Sequence, residues 1–140
     1  MAKRFTDTEK WDDPFFYDLP AWGKLLWIYV CDKCSHAGIW KQNKSQAEAT
    51  TGIEIDWSEI ESKFSGKIFE KNGYWFIPSF LTFQYGRDLS GGKSIDSAIK
   101  QINDFGFTEI AIEKVISYKS KLKINSINNT SIPRTTVFRG

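Results

Sequence analysis

The sequence predicts a mostly α-helical domain with a small β-hairpin, an α+β fold. Three observations predict it. Apolar residues recur at the three-four spacing of a helix face in successive segments. The stretch KIFEKNGYWFIPSF places Asn72-Gly73, the favoured two-residue hairpin turn, between two runs of β-formers. Finally, 41% hydrophobic and 16% aromatic residues in a chain of 140 supply the core of one ordinary domain and argue against global disorder.

Taken in order, a short helix is expected to open at Thr6 or Asp7, carrying Trp11, Phe15 and Phe16, with Pro14 kinking or restarting it. Pro20 suits the first turn of a second helix, whose stripe is Trp22, Leu25, Leu26, Tyr29 and Val30. Gly38 ends what precedes it, and GIWKQN reads as a short extended segment. Ser45 followed by Glu48 predicts a capping box opening a two-turn helix that Gly52 stops, with Ala47 and Ala49 facing inward and Gln46 and Thr50 exposed. Asp56 with Glu59 repeats the box for a helix with Trp57, Ile60 and Phe64 on one stripe, closed by Gly66. Pro78 limits the second hairpin strand to an edge or ends it. Residues 86–94, GRDLSGGKS, read as a loop, and residues 95–105 and 108–122 as helices separated by Gly106. The division expected is a domain over 1–86, a linker over 87–94, a helical extension over 95–123 and a flexible basic tail over 124–140.

The net charge of +2 hides an asymmetry. Residues 1–113 hold 13 basic and all 17 acidic residues, whereas residues 114–140 hold six basic residues and no acidic one. Such a split suits either a basic arm that meets a polyanion, nucleic acid foremost, or a solubilising tail that meets nothing. The charged start, MAKRFTDTEK, has no apolar run behind it, so no signal peptide is expected. The longest apolar run, residues 25–31, is too short to span a bilayer, so no membrane association is expected. Two cysteines without an export signal fit a reducing cytoplasm.

The order helix, helix, short strand, polar helix, helix, hairpin is the layout of a winged helix-turn-helix. In that layout a helix enters the major groove and the hairpin wing touches the backbone beside it. The blocks FTDTEKWDDPFFYDLPAWGKLLWIYVCDKCSHAGIW, GKIFEKNGYWFIPSFLTFQYG and KSIDSAIKQINDFGF go further. Over roughly residues 3–107 they resemble the small replication-initiation, or replisome-organiser, proteins of bacteriophages and prophages, whose N-terminal region is a DnaD-like winged helix. The resemblance implies a non-enzymatic DNA-binding protein of phage replication in the bacterial cytoplasm. Its expected partners are double-stranded DNA and replication proteins such as a helicase or its loader.

On that reading Asn43, Lys44, Gln46 and Thr50 form the major-groove surface, since Asn and Gln pair two-fold with adenine and Lys meets guanine or phosphate. Lys67, Lys71 and Asn72 supply wing contacts to phosphates. Arg87 and Lys93 extend the basic track, and Lys119, Lys121 and Lys123 continue it. The plainer alternative is a solvated helix face and a hairpin tip that is polar by default. A different class of function also stays open: a phage-encoded module that binds a host protein, inhibiting a defence nuclease or engaging a helicase. The acidic balance of residues 1–113 favours it.

Three further motifs are set aside. Cys31, Cys34 and His36 offer three ligands where structural zinc needs four, and the chain has no other Cys or His, so no metal and no cofactor are expected. The family resemblance implies instead that Cys34 and His36 in CDKCSHAGIW belong to a helix-to-strand turn, with His36 hydrogen-bonding the backbone. SGGKS lacks the first glycine of a phosphate loop, because position 87 is Arg. Of the tryptophans, Trp22, Trp57 and Trp75 are read as core, and Trp11, Trp27 and Trp40 are unassigned.

Overall fold

Two short strands pair with one central strand. In the computed structural model, which describes residues 3–85 and 92–115, β1 (Ile39–Lys41), β2 (Phe69–Lys71) and β3 (Tyr74–Phe76) form an antiparallel sheet in the order β1-β3-β2. Asn72 and Gly73 close the hairpin with φ of 54° and 82°, the two positive values that a twist-matched two-residue turn demands. The remaining described elements are mostly helical: α1 (Pro14–Tyr17), α2 (Ala21–Lys33), α3 (Lys44–Thr51), α4 (Ile60–Lys63), α5 (Pro78–Tyr85), α6 (Lys93–Asp104) and α7 (Thr108–Lys114). Single 3-10 turns, Thr8–Asp12 and Trp57–Glu59, precede α1 and α4. No helix among the described residues is long and apolar enough to cross a membrane.

The period-2 alternation of the strands sends side chains to two separate cores. Trp40, Trp75 and Ile77 face one way, onto Leu26 and Val30 of α2, Ala47 of α3 and Phe64 after α4. Ile39 and Phe76 face the other way, with Phe69 packed beside them, onto Ile99 and Ile102 of α6 and Phe107 just before α7. The register makes each set a cross-strand unit, with Ile39 and Phe69 both opposite Phe76, and Trp40 opposite Trp75. The two indoles meet edge-on at 4.8 Å. The sheet is therefore a middle layer with helices on both faces.

Local chemistry sets most boundaries as expected. Asp13 caps α1, accepting from Phe15 N–H, and Pro14 takes the first helical position, so the chain restarts there. Gly38, at φ 79°, lies so close to β3's continuation that an added Cβ would stand 2.8 Å from the Ile77 carbonyl oxygen. Its own carbonyl accepts from Ile77 N–H at 2.8 Å, which extends the β1–β3 pairing past the strand ends.

Other expectations are corrected. The N-cap of α3 is Asn43, whose side chain accepts from Gln46 N–H, so the capping pair is Asn43 with Gln46, not Ser45 with Glu48. Ala49 is exposed, because residues two apart on a helix point to different sides, and only Ala47 is buried. Asp56 does cap its turn, but through Ser58 N–H and without Glu59. The inward stripe of α2 is Gly23, Leu26 and Val30, which leaves Leu25 exposed. Of the two alternatives at Pro78 the strand-ending one holds, since β3 is central, but the helix α5 that Pro78 opens was not foreseen in SFLTFQY. Of the loop expected over 86–94, residues 86–91 lie outside the described residues, and α6 has begun by Lys93.

The second core predicts a measurable consequence. Ile102 on α6 is 0% exposed beneath the sheet. Ile102→Ala should lower unfolding free energy by about 2–5 kcal/mol, as for a central core position. Urea titration checks it, and a loss below about 1 kcal/mol would mean that α6 contributes little to the folded unit.

Candidate nucleic-acid interface

The start of α3 and the hairpin tip are joined by one backbone hydrogen bond. Gln42 N–H donates to the Gly73 carbonyl at 2.9 Å, immediately after Lys41 has paired with Tyr74. The chain then enters α3 through Asn43, so the Asn72-Gly73 turn lies beside the first turn of the helix. Lys41, Asn43, Lys44, Gln46 and Asn72 are all exposed around this junction. Thr50, exposed on the last turn of α3, continues the polar face of the helix.

The polar groups are partly committed to one another. Asn43 Nδ2 donates to Gln46 Oε1 at 3.1 Å, while Asn43 Oδ1 accepts from Gln46 N–H at 3.1 Å and from Ser45 Oγ at 3.3 Å. Two amides that already bond each other have fewer free groups with which to read a base edge. Lys44 Nζ stands 5.5 Å from the centre of the Trp57 ring.

Behind α3, Glu48 organises the connection to α4. Its Oε2 accepts from Ile55 N–H at 3.0 Å and from Trp57 Nε1 at 3.1 Å. The pattern Ser45-x-x-Glu48 concealed this role. The acceptor serves a turn seven to nine residues later, which spacing along one helix cannot reveal. Lys41 was also missed, although its place beside the turn follows once the β1–β3 register is known.

The other proposed contacts separate from this junction. Lys71 lies on the strand, but its Nζ donates to the Gly106 carbonyl at 2.8 Å, so it ties the hairpin to the α6–α7 turn. Lys67, at the opposite end of the hairpin from the tip, stands 5.1 Å over the Phe15 ring. Lys93 is exposed at the first residue of α6, in the helical layer on the sheet's far face. Arg87, Lys119, Lys121 and Lys123 lie outside the described residues. Of the three residues expected to supply wing contacts, Asn72 sits at the tip, Lys71 on the strand just before it and Lys67 before the first hairpin strand.

The cysteine stretch proves architectural in a way not anticipated. Arg4 Nη1 donates to the Cys31 carbonyl at 3.1 Å and the Asp32 carbonyl at 3.0 Å, satisfying acceptors that the end of α2 leaves open. It also reaches Cys34 Sγ at 3.7 Å, and its guanidinium covers the Phe80 ring at 5.2 Å. Ser35 closes the following turn: its N–H bonds the Ile39 carbonyl, and its Oγ accepts from Ala37 N–H and Ile39 N–H. The backbone role expected of His36 belongs to Ser35. Both thiols are free, and burial pushes each up to about 12 from the ordinary 9.0. No group of three or more His, Cys, Asp or Glu able to hold a metal occurs among the described residues.

A cleft of about 210 Å³ lies between the N-terminal segment, α2 and α5, walled by Phe5, Phe15, Trp27, Phe80 and Phe83. Phe5 is 74% exposed and Phe83 43% exposed at its mouth. Trp75 and Trp40 are core, Trp22, Trp27 and Trp57 are half-buried, and Trp11 is exposed.

No family model, curated protein or solved structure matches this chain.

Two outcomes follow from this geometry. Glu48→Ala removes the acceptor of a buried N–H and of an indole N–H, and should cost about 1–3 kcal/mol in urea unfolding. A cost near zero would show that water replaces the carboxylate there. The thiols, protonated in the folded state up to about 12 but ionising near 9.0 once unfolded, favour unfolding as pH rises. Their contribution is intact below pH 9 and is lost between 9 and 12. Denaturant midpoints across that window should fall more steeply for the wild type than for Cys31→Ala/Cys34→Ala; equal slopes would contradict the assignment.

Proposed function

We propose that this chain is a winged-helix-type DNA-binding protein of phage or prophage replication initiation, which holds duplex DNA and recruits replication proteins in the bacterial cytoplasm. It acts by binding, without chemistry of its own. The observation that carries the reading is the 2.9 Å bond from Gln42 to Gly73, which sets the hairpin tip against the first turn of α3. A helix start and a ribbon tip that expose Lys41, Asn43, Lys44, Gln46 and Asn72 side by side suit one groove edge and its flanking phosphates. The sequence resemblance to replisome organisers supports the same reading.

A second reading rests on a specific feature. In a helix-turn-helix the second helix ordinarily reads the groove. Here that helix begins at Trp57 and exposes Asp56, Glu59 and Glu61, with Lys63 its one exposed cation. A carboxylate-rich helix opposes a phosphate surface and suits a protein partner, such as a host nuclease or helicase. On the DNA reading α3, not this helix, makes the principal contact.

Fluorescence anisotropy with phage-derived and random duplexes over a salt series separates the two. The DNA reading predicts that log affinity falls with log salt by about 0.9 per phosphate contact. Lys44→Ala with Gln46→Ala should weaken binding at least about fivefold. Unchanged affinity in the double variant would remove α3 as the contact helix, and no binding by the intact chain would leave the protein-partner reading.

A further inference from the structure

Lys44, at the start of α3, has its ammonium beside an aromatic ring. It stands 5.5 Å from the centre of the Trp57 ring. The ring is fixed in turn: Nε1–H donates to Glu48 Oε2 at 3.1 Å, and the indole packs on Trp75 of the central strand at 6.4 Å. The same Glu48 oxygen anchors Ile55 N–H at 3.0 Å, so the carboxylate locks the turn that carries the tryptophan. Trp57 is half-buried and packed against the first core, while Lys44 is exposed. The chain of contacts runs from the sheet, through indole and carboxylate, to one cation at the start of α3.

A lysine meeting a phosphate ordinarily loses the rotamer freedom of a long flexible stem. A cation already resting on an aromatic face has less of that freedom to lose, so binding is preorganised. We propose that Trp57 is a positioning residue for nucleic-acid binding, holding the Lys44 ammonium beside the hairpin tip while Glu48 holds the ring. The inference rests on the nucleic-acid reading of this face and assigns Trp57 a role that core packing alone does not require. It also gives the acidic Glu48, on an otherwise unpromising helix, a supporting part in phosphate contact.

The test has two arms. In the free protein, NMR should place the Lys44 ε-methylene protons upfield of their random-coil position, from the ring current, in wild type and in Trp57→Phe but not in Trp57→Leu. Random-coil shifts in the wild type would overturn the proposal without any variant having to fold. In duplex binding, Trp57→Leu should weaken affinity about two- to fivefold, the factor expected when binding must order one more long side chain. Trp57→Phe should restore it. Lys44→Ala should flatten the salt slope by about 0.9 in the wild-type background and change little further in Trp57→Leu. Equal costs of Lys44→Ala in both backgrounds, or tighter binding by Trp57→Leu, would show that the ring does not position the cation. If the intact chain binds no duplex, the nucleic-acid reading fails and the positioning role with it, whereas the NMR arm still reports whether the contact exists.

Discussion

Everything in the described structure depends on β3 burying both of its faces. Tyr74, Trp75 and Phe76 are consecutive, so their side chains alternate, and the strand has a neighbour on each edge. Trp75 seals the core against α2, α3 and α4, and Phe76 seals the core against α6 and α7. Burying two aromatic side chains contributes about 1.5–3 kcal/mol each, a large share of a domain's net stability. The consequence reaches the surface. Because β1 is pinned to β3 in register, Gln42 can only fall opposite Gly73, and the start of α3 can only fall beside the hairpin tip.

The same constraint explains which lysines share a surface. Side chains on the β2 face that carries Phe69 meet the C-terminal helices, so Lys71 is drawn to the Gly106 carbonyl and Lys114 to the Phe69 ring. Lys67 precedes the strand and is drawn to Phe15 near the aromatic cleft. What remains at the tip is a small polar group: Lys41, Asn43, Lys44, Gln46 and Asn72. On the proposed reading the affinity of the described domain for DNA comes from few charges, and residues 1–113, with their acidic excess, require those charges to be well placed.

The legible parts of the fold were those set by local chemistry. Asn72-Gly73 announced the hairpin because only such a pair adopts two positive φ values at low cost. Pro14 restarted the first helix for a reason confined to its own ring and missing N–H. Tertiary demands hid the rest. Ser45 and Glu48 satisfy the capping pattern, yet the end of β1 at Lys41 brings the helix start forward to Asn43, and Glu48 is taken by the turn at Ile55. The three-four pattern placed residues 95–105 in a helix correctly, but nothing along the chain said that this helix covers the second face of the sheet. At the candidate site, Asn43, Lys44, Gln46 and Asn72 were readable as polar residues next to turn signals. Lys41 and the dispersal of Lys67 and Lys71 depend on strand register, which sequence spacing leaves open.

The claim on which the functional account stands is that the helix start and the ribbon tip act as one surface. Backbone amide shifts in a nitrogen–proton NMR titration with a short duplex address it most directly. The account predicts that residues 41–46 and 71–73 shift together and saturate at one stoichiometry. Shifts confined to residues 56–63 or to the aromatic cleft, with the junction silent, would contradict it.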